Sequence, residues 1–165
     1  MLYLNIITYT VIQISQEYTI LRVGMCLSGE YYQLLWNRSS RFLVRALRDL
    51  EEGDFDGACF NAEEAIQLAV KAILYKYFGE RLRIHGSKTL LARLRNLLMD
   101  SGRDDVASLV GRFVADNRDA LDLLEESYTM ARYGEISYGE KQGRICVNVA
   151  KKAIEVLREV EEQLG

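Results

Sequence analysis

The chain of 165 residues contains no proline, a single histidine and three cysteines. Proline interrupts helices and makes up about 5% of an average protein, so its absence favours long uninterrupted helices. One histidine excludes every site that needs two. The cysteines Cys26, Cys59 and Cys146 are odd in number and widely spaced. This argues against a disulfide scaffold or a zinc site, so we expect no metal, no cofactor and a reducing, cytoplasmic location.

The chain also lacks an excess of basic charge and long hydrophobic runs. The formal net charge is -3 and the isoelectric point about 5.3, which argues against a general DNA or RNA binder, although a local basic patch remains compatible with RNA. No apolar stretch approaches the roughly 18 residues of a membrane span. The apolar run near the start lacks a preceding basic region and contains Asn5, Thr8 and Thr10. We therefore predict no signal peptide, no membrane partner and no DNA partner.

The first 24 residues differ in composition from the rest. They are rich in β-branched and aromatic side chains, which favour strand, whereas helical patterns dominate from Met25 onward. We predict a short non-helical N-terminal extension over residues 1–24 and a helical domain over residues 25–165. The extension is a short strand, a tail, or an upstream addition to a protein that starts at Met25.

The apolar spacing after residue 25 predicts helices over about 30–52, 55–78, 87–99 and 140–164. A fourth predicted helix carries the apolar residues from Val106 to Leu124. Gly53 predicts the end of the first helix, Asp54 the N-cap of the second, and Ser87 the N-cap of the third. Because the connections are short, neighbours should be antiparallel. The fold class is all-α, an up-and-down bundle of four to five helices.

Three segments resemble the HEPN (higher eukaryotes and prokaryotes nucleotide-binding) domain family in their order and spacing. They are EEGDFDGACFNAEEAIQLAVKAILYKYFGE at 51–80, IHGSKTLLARL at 84–94 and ARYGEISY at 131–138. The likeness covers about residues 30–164. It implies a helical bundle that dimerises, and many bacterial and archaeal members pair with a minimal nucleotidyltransferase as toxin and antitoxin.

Active members of this family are metal-independent ribonucleases, in which an arginine is followed after four to six residues by a histidine. No arginine precedes His85 at that spacing. The resemblance places Arg132 at the matching element, but Tyr138 stands where a histidine would be, and Gly134 replaces the family's proline. A tyrosine with a pKa of about 10 is a poor base at neutral pH.

We therefore predict a HEPN-like homodimeric module that partners a minimal nucleotidyltransferase, or binds a nucleotide or RNA phosphate, without ribonuclease activity. The alternative is an atypical ribonuclease toxin with Arg132 and Tyr138 as its catalytic candidates. The predicted phosphate- or nucleotide-binding residues are Arg132, Tyr133, His85, Ser87 and Lys88.

Two of these residues also have a structural interpretation. Arg132 can stack on Tyr133 or Tyr138 or cap a helix C-terminus, and His85 can make local hydrogen bonds. Ser87 and Lys88 open a helix whose free N–H groups attract anions.

Other polar residues are predicted to have common structural roles or to lie at the surface. Four arginines recur at spacings of three and four, which aligns them on one face of the first helix. They are Arg38, Arg41, Arg45 and Arg48. This face is either solvated or contacts RNA or an acidic partner. We expect Glu63 and Glu64 to be exposed, Asn117 to pair with another helix or specify the dimer, and Cys59 and Cys146 to be packed thiols.

Overall fold

A computed structural model describes residues 29–133 and 137–165, except for the side chains of residues 131–133. The described residues form six helices and no strand, which confirms the all-α prediction. The helices are α1 (29–52), α2 (Phe55–Phe78), α3 (Ser87–Asp100), α4 (Asp104–Asp116), α5 (Arg118–Tyr133) and α6 (Glu140–Leu164). The predicted extension over residues 1–24 lies outside the described residues, as does Gly134.

The small side chains of α2 place this helix at the centre of the bundle, in contact with α3, α5 and α6. Five alanines in α2 are fully buried, and their size allows close approach of neighbouring helices. They are Ala58, Ala62, Ala65, Ala69 and Ala72. The predicted N-cap is confirmed, since an Asp54 carboxylate oxygen accepts a hydrogen bond from the Gly57 N–H at 2.9 Å. α1 packs beside α2, where the buried Ser39 hydroxyl donates to the Ala65 carbonyl at 2.7 Å.

The predicted fourth helix is two helices, because the chain breaks at Asn117. The Asn117 side-chain amide donates to the Phe113 carbonyl at 2.8 Å, and its backbone leaves the helical region at φ -122° and ψ 25°. An asparagine that hydrogen-bonds its own preceding turn competes with helix continuation. The Asn117 amide therefore contacts its own helix and not another one, and its alternative role in specifying the dimer stays a prediction.

Both described cysteines, Cys59 and Cys146, are buried free thiols, as predicted. None of the described helices combines the length and the apolar character that crossing a membrane would require.

Candidate functional site

The N-terminus of α3 receives two carboxylates from other helices. Oε1 of Glu63 on α2 accepts the Ser87 N–H at 2.8 Å, and Oε1 of Glu125 on α5 accepts the Lys88 N–H at 2.8 Å. The predicted N-cap role of Ser87 is wrong, because Gly86 is the N-cap and no side chain of this turn caps it. Gly86 has φ +102°, and a Cβ at this position would lie 2.9 Å from Oε1 of Glu125. Glycine therefore allows the Glu125 carboxylate to approach the helix start.

Glu63 is fully buried, so the prediction that it is exposed is wrong. Its position four residues after Cys59 and three before Ile66 puts it on the stripe of α2 that packs into the core. Burial raises the pKa of Glu63 to about 7, against the opposing effect of the hydrogen bond from the Ser87 backbone. Among the described residues, Oε2 of Glu63 and the Ser87 hydroxyl have no hydrogen-bond partner.

A chain of hydrogen bonds connects the buried Glu63 carboxyl group to the exposed His85 ring. Gln67 Nε2 donates to Glu63 Oε1 at 3.3 Å, and Gln67 Oε1 lies 3.2 Å from His85 Nδ1. The Tyr128 hydroxyl lies 3.4 Å from the same ring nitrogen. We call these residues, together with Ser87, the Glu63 cluster. It joins α2, the α2–α3 loop, the start of α3 and α5.

Three aromatic rings stack in near-parallel orientation, and two of them, Tyr128 and His85, belong to the Glu63 cluster. The centroids of Phe60 and Tyr128 are 5.3 Å apart at an interplanar angle of 11°. Those of Tyr128 and His85 are 5.9 Å apart at 21°. Because His85 is exposed, this run of rings ends at the surface. Stacked aromatic and histidine rings are a common platform for unpaired nucleic-acid bases.

Lys88 is held in ion pairs within the chain. Its ammonium group hydrogen-bonds Asp122 and lies 3.8 Å from Oε2 of Glu125. The hydrogen bond with Asp122 raises the pKa of Lys88. The backbone N–H groups of Ser87 and Lys88 already donate to Glu63 and Glu125. A phosphate bound by Ser87 and Lys88 would therefore compete with these two carboxylates. Their assignment as phosphate-binding residues stays a prediction.

The other predicted site residues lie near the end of α5 and the start of α6. Arg132 and Tyr133 belong to the last turn of α5, and their side chains lie outside the described part of the chain. The Tyr138 N–H donates to Oδ1 of Asp56 at 2.6 Å, which ties this segment to the first turn of α2. Burial raises the pKa of Tyr138. A smaller fraction of its phenol is therefore ionised to phenolate at neutral pH.

The arginine face of α1 is exposed as the spacing predicts. None of its four arginines makes an ion pair with a described residue; they are Arg38, Arg41, Arg45 and Arg48. The guanidinium of Arg45 lies 5.2 Å from the centroid of the Phe42 ring. Val44, which is 58% exposed, lies between these arginines in a shallow groove.

Sequence reasoning missed Phe60, Gln67 and Tyr128. For Gln67 a signal existed, because a polar residue four positions after Glu63 continues the buried stripe of α2. Across residues 29–130 and 137–165, no group of three or more His, Cys, Asp or Glu side chains is arranged to hold a metal ion.

Comparison with known proteins identifies the fold and one family. The sequence model described as "HEPN domain" matches residues 32–160. A crystal structure of TT1696 from Thermus thermophilus is similar in fold, with a TM-score of 0.59 and 21% sequence identity. The match covers 78% of this chain and 97% of that one. No protein with a curated description matches the chain.

Proposed function

The chain belongs to the HEPN domain family, and from this premise we propose that it binds a nucleotide or an RNA segment without cleaving RNA. In this proposal a base stacks on the exposed His85 ring, and Arg132, assisted by Tyr133, contacts a phosphate. HEPN domains often dimerise, so the proposal also includes a homodimer and a minimal nucleotidyltransferase as partner. The free thiols of Cys59 and Cys146 favour a reducing, cytoplasmic setting for it.

The observation that carries the proposal is the exposed end of the run of rings at His85. A base that stacks there gains contact with a π surface whose orientation is already fixed by Tyr128 and Gln67. Such stacking contributes about 1–3 kcal/mol per base and tolerates different bases. Binding therefore needs no base-specific pocket.

Two observations favour binding over cleavage. His85 is the only histidine of the chain, and it lies in the α2–α3 loop, not after Arg132. Tyr138, which the resemblance places where the family's histidine would be, has a raised pKa because of burial. A general base for the ribose 2′-hydroxyl needs a pKa near the working pH, and a tyrosine perturbed upward lacks it.

The test measures binding and cleavage of the same fluorescently labelled single-stranded RNA. We expect binding by the wild-type protein and a loss of affinity of about tenfold in His85→Ala and in Arg132→Ala. Arg112→Ala is the matched control, since Arg112 is exposed on α4, and its affinity should be unchanged. Equal affinity in all four proteins would contradict the proposal. Cleavage that disappears in Arg132→Ala would instead establish the ribonuclease alternative.

The partner part of the proposal needs separate measurements. Sedimentation equilibrium should give twice the chain mass of 18.9 kDa. The proposal predicts a minimal nucleotidyltransferase gene beside this one, and co-expression of the two proteins should yield a complex that survives gel filtration. A monomer at micromolar concentration, or separate elution of the two proteins, would contradict these parts.

A further inference from the structure

One oxygen of the buried Glu63 carboxyl group acts as a hydrogen-bond acceptor for the backbone of α3. The Ser87 backbone N–H donates to Oε1 at 2.8 Å, and a backbone amide has no acceptor function that would let this bond reverse. An oxygen that already accepts an amide hydrogen is less basic than one that accepts none, so a proton bound to Glu63 favours Oε2, which no described residue contacts through a hydrogen bond. Oε1 thus remains an acceptor in both protonation states.

This constraint fixes the orientation of the Gln67 amide. Because Glu63 Oε1 accepts, Gln67 must direct its Nε2 hydrogens toward it, over the observed 3.3 Å. The amide oxygen then faces His85 Nδ1 at 3.2 Å. Gln67 is 1% exposed, so a reversed amide would direct its oxygen toward the accepting Oε1 of Glu63 and leave two acceptors facing each other in a buried site.

An acceptor that faces Nδ1 requires a hydrogen on Nδ1. The Tyr128 hydroxyl, 3.4 Å from Nδ1, can donate or accept, so it opposes neither tautomer. In a neutral imidazole with hydrogen on Nδ1, the other nitrogen, Nε2, carries the lone pair. Nε2 has no hydrogen-bond partner among the described residues, and the His85 side chain is exposed.

We infer that Glu63 and Gln67 form a relay that holds neutral His85 as the Nδ1–H tautomer and leaves Nε2 as an acceptor for a hydroxyl group of the ligand. Glu63 and Gln67 are positioning residues that act through His85. The inference rests on the proposed function and deepens it, because it names the ligand class. A ribonucleotide carries a 2′-hydroxyl that can donate to Nε2, whereas a deoxyribonucleotide does not.

The relay is tested without any ligand, because a single histidine gives one unambiguous set of ring signals. Long-range ¹H–¹⁵N correlation spectra of the labelled protein, recorded on the neutral imidazole ring, distinguish the two tautomers. We expect Nδ1–H to predominate in the wild type, in Glu63→Gln and in Tyr128→Phe. Glutamine at position 63 keeps an oxygen for the Ser87 N–H, so the conservative variant should preserve the relay.

Gln67→Leu and Glu63→Leu should lose the preference for Nδ1–H, since each interrupts the relay at a different residue. Circular dichroism establishes which variants fold. If a leucine variant does not fold, the NMR spectra of the wild type and of Glu63→Gln still test the inference. A predominant Nε2–H tautomer in the wild type would overturn the inference. So would an unchanged tautomer in a folded Gln67→Leu.

A second measurement tests the ligand class with single-stranded RNA and DNA of the same sequence. We expect the wild type to prefer RNA by about threefold to tenfold, which corresponds to one hydrogen bond. The preference should fall toward equality in His85→Ala and Gln67→Leu. RNA and DNA bound equally by the wild type would overturn the ligand class. Absence of RNA binding would contradict the proposed function, while the NMR spectra would still decide whether the relay exists.

Discussion

Replacing Glu63 by glutamine should stabilise the protein, and the gain should grow with pH. Glu63 is fully buried, and burial raises the pKa of its carboxyl group to about 7 from an ordinary value of 4.5. Glutamine has nearly the same shape and supplies an oxygen for the Ser87 N–H, but it never ionises. The variant therefore removes the cost of a buried charge and keeps the hydrogen bond at the start of α3.

The magnitude follows from proton linkage. A raised pKa in the folded state means that the native protein holds the proton more tightly than the unfolded chain, so wild-type stability falls as pH rises from about 4.5 to about 7. At one pKa unit per 1.36 kcal/mol, the cost is about 1 kcal/mol at pH 5 and about 3 kcal/mol at pH 8. Groups common to both proteins cancel in the difference, so Glu63→Gln should gain about 2 kcal/mol relative to wild type between these pH values.

Urea unfolding of both proteins at pH 5 and pH 8, followed by circular dichroism, measures this difference. Glu155→Gln is the control, because Glu155 is exposed on α6 and its replacement should shift stability equally at both pH values. A stability difference between wild type and Glu63→Gln that is the same at pH 5 and pH 8 would refute the reasoning. It would mean that the Glu63 carboxylate is stabilised as well inside the protein as in water.

Three further predictions concern other parts of the molecule. Asp56→Ala removes the acceptor of the Tyr138 N–H, so hydrogen exchange of this amide should become faster, whereas Asp56→Asn should preserve its protection. Gly79→Ala places a side chain at φ +69° and should cost about 1 kcal/mol in urea unfolding; an unchanged midpoint would contradict this. If the arginine face of α1 binds RNA, Arg41→Ser with Arg45→Ser should weaken binding and lower the salt dependence by about two ions; unchanged binding would identify a solvated face.

Local signals predicted most of the fold. The first turn of α2 follows from Asp54 because an N-cap acts on amides only a few residues away. The division between α4 and α5 is not predictable from the spacing, because Asn117 lies in register with the apolar stripe of one long helix and is also the residue whose amide ends α4. Periodicity alone does not distinguish a continuous helix from two helices at this position. The outcome depends on how α5 packs against α2.

The site was less accessible to sequence reasoning, because its contacts join distant parts of the chain. His85 and Tyr128 are separated by 43 positions, and no spacing rule relates a loop to a helix that packs beside it. Glu63 was misplaced for a different reason. A carboxylate is usually exposed, and this general tendency conflicts with the position of Glu63 on the buried stripe of α2, next to the alanines that allow other helices to approach.

The carboxylates at the start of α3 change how a nucleotide would be bound. A helix N-terminus normally attracts phosphate, but Glu63 and Glu125 already accept the Ser87 and Lys88 amide hydrogens. A phosphate at this point would meet two acidic side chains, so its attraction must come from elsewhere. In the proposed function it comes from Arg132, four residues after Tyr128 on α5, or about 6 Å further along the helix axis. The start of α3 then positions His85 for the sugar and base, and the phosphate lies toward the end of α5.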